Sequence, residues 1–205
     1  MPEDTDFDEQ GRRGWKTRLG AGLAGPALAG AMLFPFLAFG EGQAVAHDHG
    51  SGDDASVQAE LAQVRGATAK YHRVDEAVAD GYELGWVNGA GNRIVAGCVS
   101  SPTAGAMGFH YFNAALMADD EVDVQRPEVL VYAPSPDGLK LVAVEWVVRS
   151  AQSNPAGVST PPSVLGMPMH ILVPPPGPAF YLTHAWIWAD NPAGMFADFN
   201  PEVSC

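Results

Sequence analysis

Several ionisable side chains stand on stretches that are otherwise apolar. They are His110 in Gly108-Phe109-His110-Tyr111, Glu145 in Val144-Glu145-Trp146-Val147, His170 in Met167-Pro168-Met169-His170, and His184 in Thr183-His184-Ala185-Trp186. Strand alternation puts Glu145 on a face with Leu139, Leu141, Ala143 and Val147, so its carboxylate is expected in a dry region. An unpaired ionised carboxylate there is expensive and would neutralise or find a partner. Two or three imidazoles plus one carboxylate form a ligand set suited to Zn, Cu, Mn or Fe(II). The competing reading is a metal-free polar cluster lining a small ligand pocket, with Glu145 accepting from Tyr111 or a backbone N–H. Neither a His-x-His pair nor a His-Glu-x-x-His helix falls among these strands. Convergence of distant segments has to supply the site.

A second constellation depends on processing. Residues 1–46 read as a signal peptide. Arg12-Arg13-Gly14-Trp15-Lys16-Thr17-Arg18 supplies a basic region, Leu19 to Gly40 is apolar, and Ala44-Val45-Ala46 is a small-x-small cleavage site. A membrane anchor is the alternative, but glycines, Pro26 and Pro35 interrupt the run and no stop-transfer charge cluster follows. The adjacent arginines match the twin-arginine export signal in part. Cleavage after Ala46 would expose His47-Asp48-His49. A free amine, two amides and a third-place histidine can wrap Cu(II) or Ni(II) in a square plane of nitrogens. His47 could instead chelate copper with its own amine, as in histidine-brace oxidases, given a second positioned histidine. The plainer alternative is a flexible polar arm over 47–54.

The whole chain carries 24 acidic against 11 basic residues, a net charge of −13. Four of those bases (Arg12, Arg13, Lys16 and Arg18) lie ahead of the cleavage site, so the remainder stays strongly acidic. Nucleic acid and anionic lipid surfaces both need a positive footprint, and this balance argues against either. It suits a secreted, extracytoplasmic protein with no stable membrane anchor after cleavage. Cys98 and Cys205 are the 2 cysteines. In an oxidising compartment an even pair is expected to bridge.

These side chains need a scaffold. Val57, Leu61, Val64, Thr68, Tyr71, Val74 and Val78 recur at helical spacing, with Asp53 or Asp54 placed to cap and Gly81 to stop. Gly66 or the Lys70 to Arg73 region could divide that helix. Thereafter the period falls to two. Tyr82 to Val87 and Arg93 to Val99 flank a Gly-rich turn. Ala106 to Asn113 puts Met107, Phe109 and Tyr111 opposite His110 and Phe112. Glu128 to Tyr132 and Leu139 to Arg149 form a hairpin about Ser135-Pro136-Asp137-Gly138. Tyr181 to Trp188 reads as a central strand with Leu182, His184, Trp186 and Trp188 on one face, ended by Asn191-Pro192. Ser150 to Met167 and the proline run at 174–178 are connectors, and Asn-Pro-Ala-Gly at 154–157 and 191–194 is repeated turn chemistry. The expectation is a single α+β domain over 55–205, one long N-terminal helix packed on an antiparallel sheet of about five or six strands. A small β-barrel or cupin-like double sheet is the alternative.

Through Gly108-Phe109-His110-Tyr111, Val144-Glu145-Trp146-Val147 and the block from His184-Ala-Trp186-Ile-Trp188 to Asn200-Pro201-Glu-Val-Ser-Cys205, the chain resembles a group of small secreted bacterial proteins of unknown function. The resemblance implies export and a single domain and carries no activity. No nucleophile elbow, phosphate-binding glycine loop or dinucleotide fingerprint is present. The functional expectation is therefore a secreted protein that binds a divalent transition metal through buried His and Glu side chains. A mononuclear metal-dependent oxygenase or hydrolase, or a metal-free domain for a small apolar ligand or partner, are the alternatives.

Overall fold

Helical periodicity in the first third resolves into α1 (Ser51–Thr68), a 3-10 turn (Ala69–His72) and α2 (Val74–Ala79). The computed structural model describes residues 51–173 and 177–205. The segment 1–46 with its cleavage site, His47 and His49, and Pro174 to Pro176 lie outside these residues. The helix divides in the Lys70 to Arg73 region, and Asp53 and Asp54 sit inside α1 instead of capping it. Leu61, Val64, Thr68 and Tyr71 are buried, whereas Val78 is exposed, the break at Arg73 having reset the helical phase. Gly81 follows with φ +92°, the left-handed backbone that a helix stop favours. Among the described residues no helix is long and apolar enough to cross a membrane.

Strands follow in the order β1 (Tyr82–Leu84), β2 (Trp86–Val87), β3 (Arg93–Ile94), β4 (Val99–Ser101), β5 (Gly105–Asn113), β6 (Val129–Ser135), β7 (Gly138–Arg149), β8 (Ser163–Val164), β9 (Met167–Pro168), β10 (His170–Leu172) and β11 (Phe180–Ala185). A 7-stranded antiparallel sheet runs β1-β5-β6-β7-β11-β10, with β4 also pairing β5. β2-β3 and β8-β9 are separate 2-stranded ribbons. The main sheet is open, ending on β1 and β10. The barrel and cupin-like alternatives are therefore set aside, and the sheet is one strand wider than expected.

Strand alternation gives the sheet two apolar faces. One carries Leu130, Tyr132, Leu141, Val144, Trp146, Val148, Tyr181 and Ala185, in a single cluster with Leu61, Val64 and Tyr71. Polar contacts join the same layers: the Tyr132 hydroxyl donates to the Tyr71 carbonyl at 2.7 Å, and the Trp188 indole to the Thr68 hydroxyl at 3.1 Å. The other face carries Val129, Val131, Ala143, Val147, Leu182 and Trp186. Each large side chain fully buried here contributes about 1.5–3 kcal/mol.

Irregularities correct three expected faces. The β6–β7 register shifts between Val131 and Tyr132, pairing Ala143 with Val131 but Leu141 with Tyr132. Leu139 and Leu141 consequently join the helix-side cluster, away from Glu145's neighbours. Similarly, Gly108 has φ +122°, a Cβ there would lie 2.4 Å from the Tyr132 carbonyl oxygen, and β4 slips against β5 beside it. That bulge brings Met107 to the His110 side. β11 ends at Ala185, well before Asn191-Pro192. There the Trp186 backbone N–H donates to the Met195 carbonyl at 2.8 Å, and its indole to the Ala197 carbonyl at 2.6 Å. Trp188, past the strand end, packs with the helix-side cluster.

The tail after β11 folds back against β5. Asn200 and Ala106 exchange both backbone hydrogen bonds at 3.1 Å. Gly105 permits that approach, since a Cβ there would lie 2.0 Å from the Asn200 carbonyl oxygen. Cys98 and Cys205 form the expected disulfide, spanning 107 residues. The two Asn-Pro-Ala-Gly segments adopt the same turn: Asn154 accepts from Ala156 N–H at 3.2 Å, and Asn191 from Ala193 N–H at 3.0 Å.

Candidate metal centre

His110, Glu145 and His184 come from β5, β7 and β11 and meet on the sheet face opposite α1. Glu145 and His184 are direct register partners. On its other side Glu145 pairs with Val129 of β6, while His110 pairs with Val131. β6 thus separates β5 from β7 but offers only valines at that level. The longer imidazole and carboxylate meet across it. His184 Nδ1 lies 2.9 Å and His110 Nε2 3.5 Å from the same oxygen, Oε1 of Glu145. All three residues can present ligand atoms within 4.8 Å of one another. Nitrogen and oxygen donors held tetrahedrally at about 2.0–2.2 Å from a metal lie roughly 3.3–3.6 Å apart. The 3.5 Å separation falls in that range, and the 2.9 Å one is a direct hydrogen bond that a metal would widen.

The surroundings are dry. His110 is 3% exposed, Glu145 6% and His184 1%. Burial alone pushes the Glu145 carboxyl up, but His110, by charge and then by hydrogen bond, and His184 beside it outweigh this. The group is held well below the usual carboxylate range. The acid is therefore an anion with acceptor capacity only, and it needs a cation or donors nearby. Each imidazole turns one nitrogen toward it. The other nitrogens, His110 Nδ1 and His184 Nε2, are buried without a hydrogen-bond partner among the described residues. Leaving such a group unsatisfied costs about 1–3 kcal/mol. The group could hold a metal ion: two imidazoles and a carboxylate make the donor set of several mononuclear sites.

A cavity of about 400 Å³ adjoins the cluster. His110 and Glu145 line it, whereas His184 stands behind them outside the lining. Its walls are mostly apolar: Trp86, Ile94, Val95, Val99, Met107, Phe112, Met117, Val147, Leu172, Phe180, Leu182 and Phe199. Asp198 and His170, both exposed, complete it.

His170 is thus not brought into the three-residue group. It sits on β10 opposite Leu182, which places it on the His184 side of the sheet but at the cavity's edge. Tyr111, considered as a donor to Glu145, packs with the helix-side cluster instead.

Sequence reasoning passed over Glu128, which is 1% exposed and accepts the Val147 N–H at 2.8 Å. Burial pushes its carboxyl up to about 8, against the lowering effect of that hydrogen bond. An acid heading an apolar strand was the available signal. Asp198 and Phe199 as cavity wall had no such signal, because the tail's return to β5 is irregular backbone. Compared with known proteins, the chain matches no family model, no curated protein and no solved structure.

Proposed function

We propose that this is an extracytoplasmic protein that binds one divalent transition metal through His110, Glu145 and His184. The observation that carries this reading is the approach of two imidazoles to a single carboxylate oxygen, at 2.9 and 3.5 Å, where all three groups are buried. A buried anion is tolerated when a cation compensates it, and a metal ion between these donors would do so, bound through the two imidazole nitrogens that already face Glu145. Zn, Cu, Mn and Fe(II) all accept this donor set. The Cys98–Cys205 disulfide supports export, since such bonds persist in oxidising compartments. So does the leader-like character of residues 1–46. A second reading, a mononuclear metal-dependent oxygenase or hydrolase, is favoured by the cavity, because His110 and Glu145 line it and three protein ligands leave a coordination position open.

Elemental analysis of protein purified from its own export route tests the proposal. About one equivalent of a transition metal is expected in the native chain and less than a tenth in Glu145→Gln, a substitution that keeps the shape and loses the charge. Equal occupancy in both would remove Glu145 from the ligand set.

A further inference from the structure

The cavity beside the three-residue group has one polar end and one apolar body. His110 and Glu145 form the polar end, and around it stand Phe112, Val147, Leu182 and Leu172. Its volume of about 400 Å³ is within the range of small-molecule sites, roughly 300–1,000 Å³. His184 holds the rear of the cluster, so a metal seated there would be reached from the cavity side alone. Water would gain little from such walls. From these observations we infer that the cavity binds a small, largely apolar molecule that carries one nitrogen or oxygen donor, with the donor at the His110–Glu145 end and the body against Phe112 and Leu182. The inference rests on the metal reading above for its donor contact and names the class of ligand that the metal would take.

Protein carrying the Cys98–Cys205 disulfide, loaded with cobalt(II) as a coloured surrogate, offers a direct test. Two probes separate head from body: imidazole, a donor with no apolar extension, and 4-phenylimidazole, the same donor with a flat ring attached. Both are titrated against the visible cobalt bands. The phenyl-bearing probe is expected to bind about 10- to 100-fold more tightly, the gain from burying one ring. Leu182→Trp, which fills the cavity from β11, should bring that ratio toward one, with cobalt content read separately. Leu172 lies at the exposed edge strand, so Leu172→Trp repeats the test without touching the core. In zinc-loaded protein, nuclear Overhauser contacts from the phenyl protons to the Leu182 methyls should appear. Cobalt uptake with equal affinity for both probes, or phenyl contacts elsewhere on the protein, overturns the ligand inference and leaves the metal reading standing. Failure of folded, disulfide-bonded protein to take up cobalt overturns the metal reading and the donor contact with it.

Discussion

Glu145 and His184 face each other directly across the β7–β11 ladder, with His184 Nδ1 2.9 Å from Glu145 Oε1. Because alternation has period two, a slip of one residue in either strand would turn its member of the pair toward α1. The register that buries Leu182 and Val147 is thus the register that assembles the pair. A double-mutant cycle on metal-free protein, with Glu145→Ala and His184→Ala, should return a coupling of about 1–3 kcal/mol in urea unfolding. The same cycle pairing Glu145 with His170 should return no more than about 0.3 kcal/mol.

Glu128 predicts a pH dependence of its own. Its carboxyl is raised from an ordinary 4.5 to about 8 in the folded chain, chiefly by burial. Between those values the folded state binds more protons than the unfolded one. Stability from this group is therefore full below about pH 4.5 and is lost as pH rises through about 8, with a slope of at most roughly 1.4 kcal/mol per unit. Glu128→Gln keeps an acceptor for the Val147 N–H and abolishes the titration. The difference between the two stability–pH curves should grow from pH 5 to 8 and then level. Parallel curves would show that Glu128 ionises normally.

The disulfide closes a span of 107 residues. In the chain-entropy model this contributes about 4–5 kcal/mol. The Cys98→Ala, Cys205→Ala pair should melt roughly 8–20 °C lower by calorimetry, given about 2–4 °C per kcal/mol for a chain of this size. A shift under about 3 °C would mean that the Asn200–Ala106 contact already holds the tail.

Gly105 lets the tail approach β5. Gly105→Ala places a methyl 2.0 Å from the Asn200 carbonyl oxygen, in a backbone with φ +89°. A loss of at least about 2 kcal/mol is expected, from strain together with the displaced contact. Hydrogen-exchange protection of the Ala106 and Asn200 amides should fall with it. Unchanged protection would contradict the proposed close approach.

Much of the scaffold was readable because it obeys simple periods. The helical spacing of Leu61, Val64 and Thr68, the β6–β7 hairpin about Ser135 to Gly138, and His184 and Leu182 on one face all follow from the side chains alone. Glu145 stood out since a charged residue between Val144 and Trp146 has to be accommodated. What alternation could not supply is where it fails. Leu141 changes face at a register shift that no residue type announces, and Met107 does so at Gly108. His170 has the chemistry of a ligand, but its distance from Glu145 depends on where β10 pairs, which the sequence leaves open. The β5-β6-β7-β11 neighbour order is likewise tertiary, and it alone turns scattered histidines into a group.

Anomalous X-ray scattering from crystals of the metal-loaded protein, recorded on both sides of the metal's absorption edge, tests the centre most directly. One peak is expected, about 2.0–2.2 Å from a nitrogen of His110, a nitrogen of His184 and a carboxylate oxygen of Glu145. A peak elsewhere in the chain, or none in protein soaked with excess metal, would contradict it.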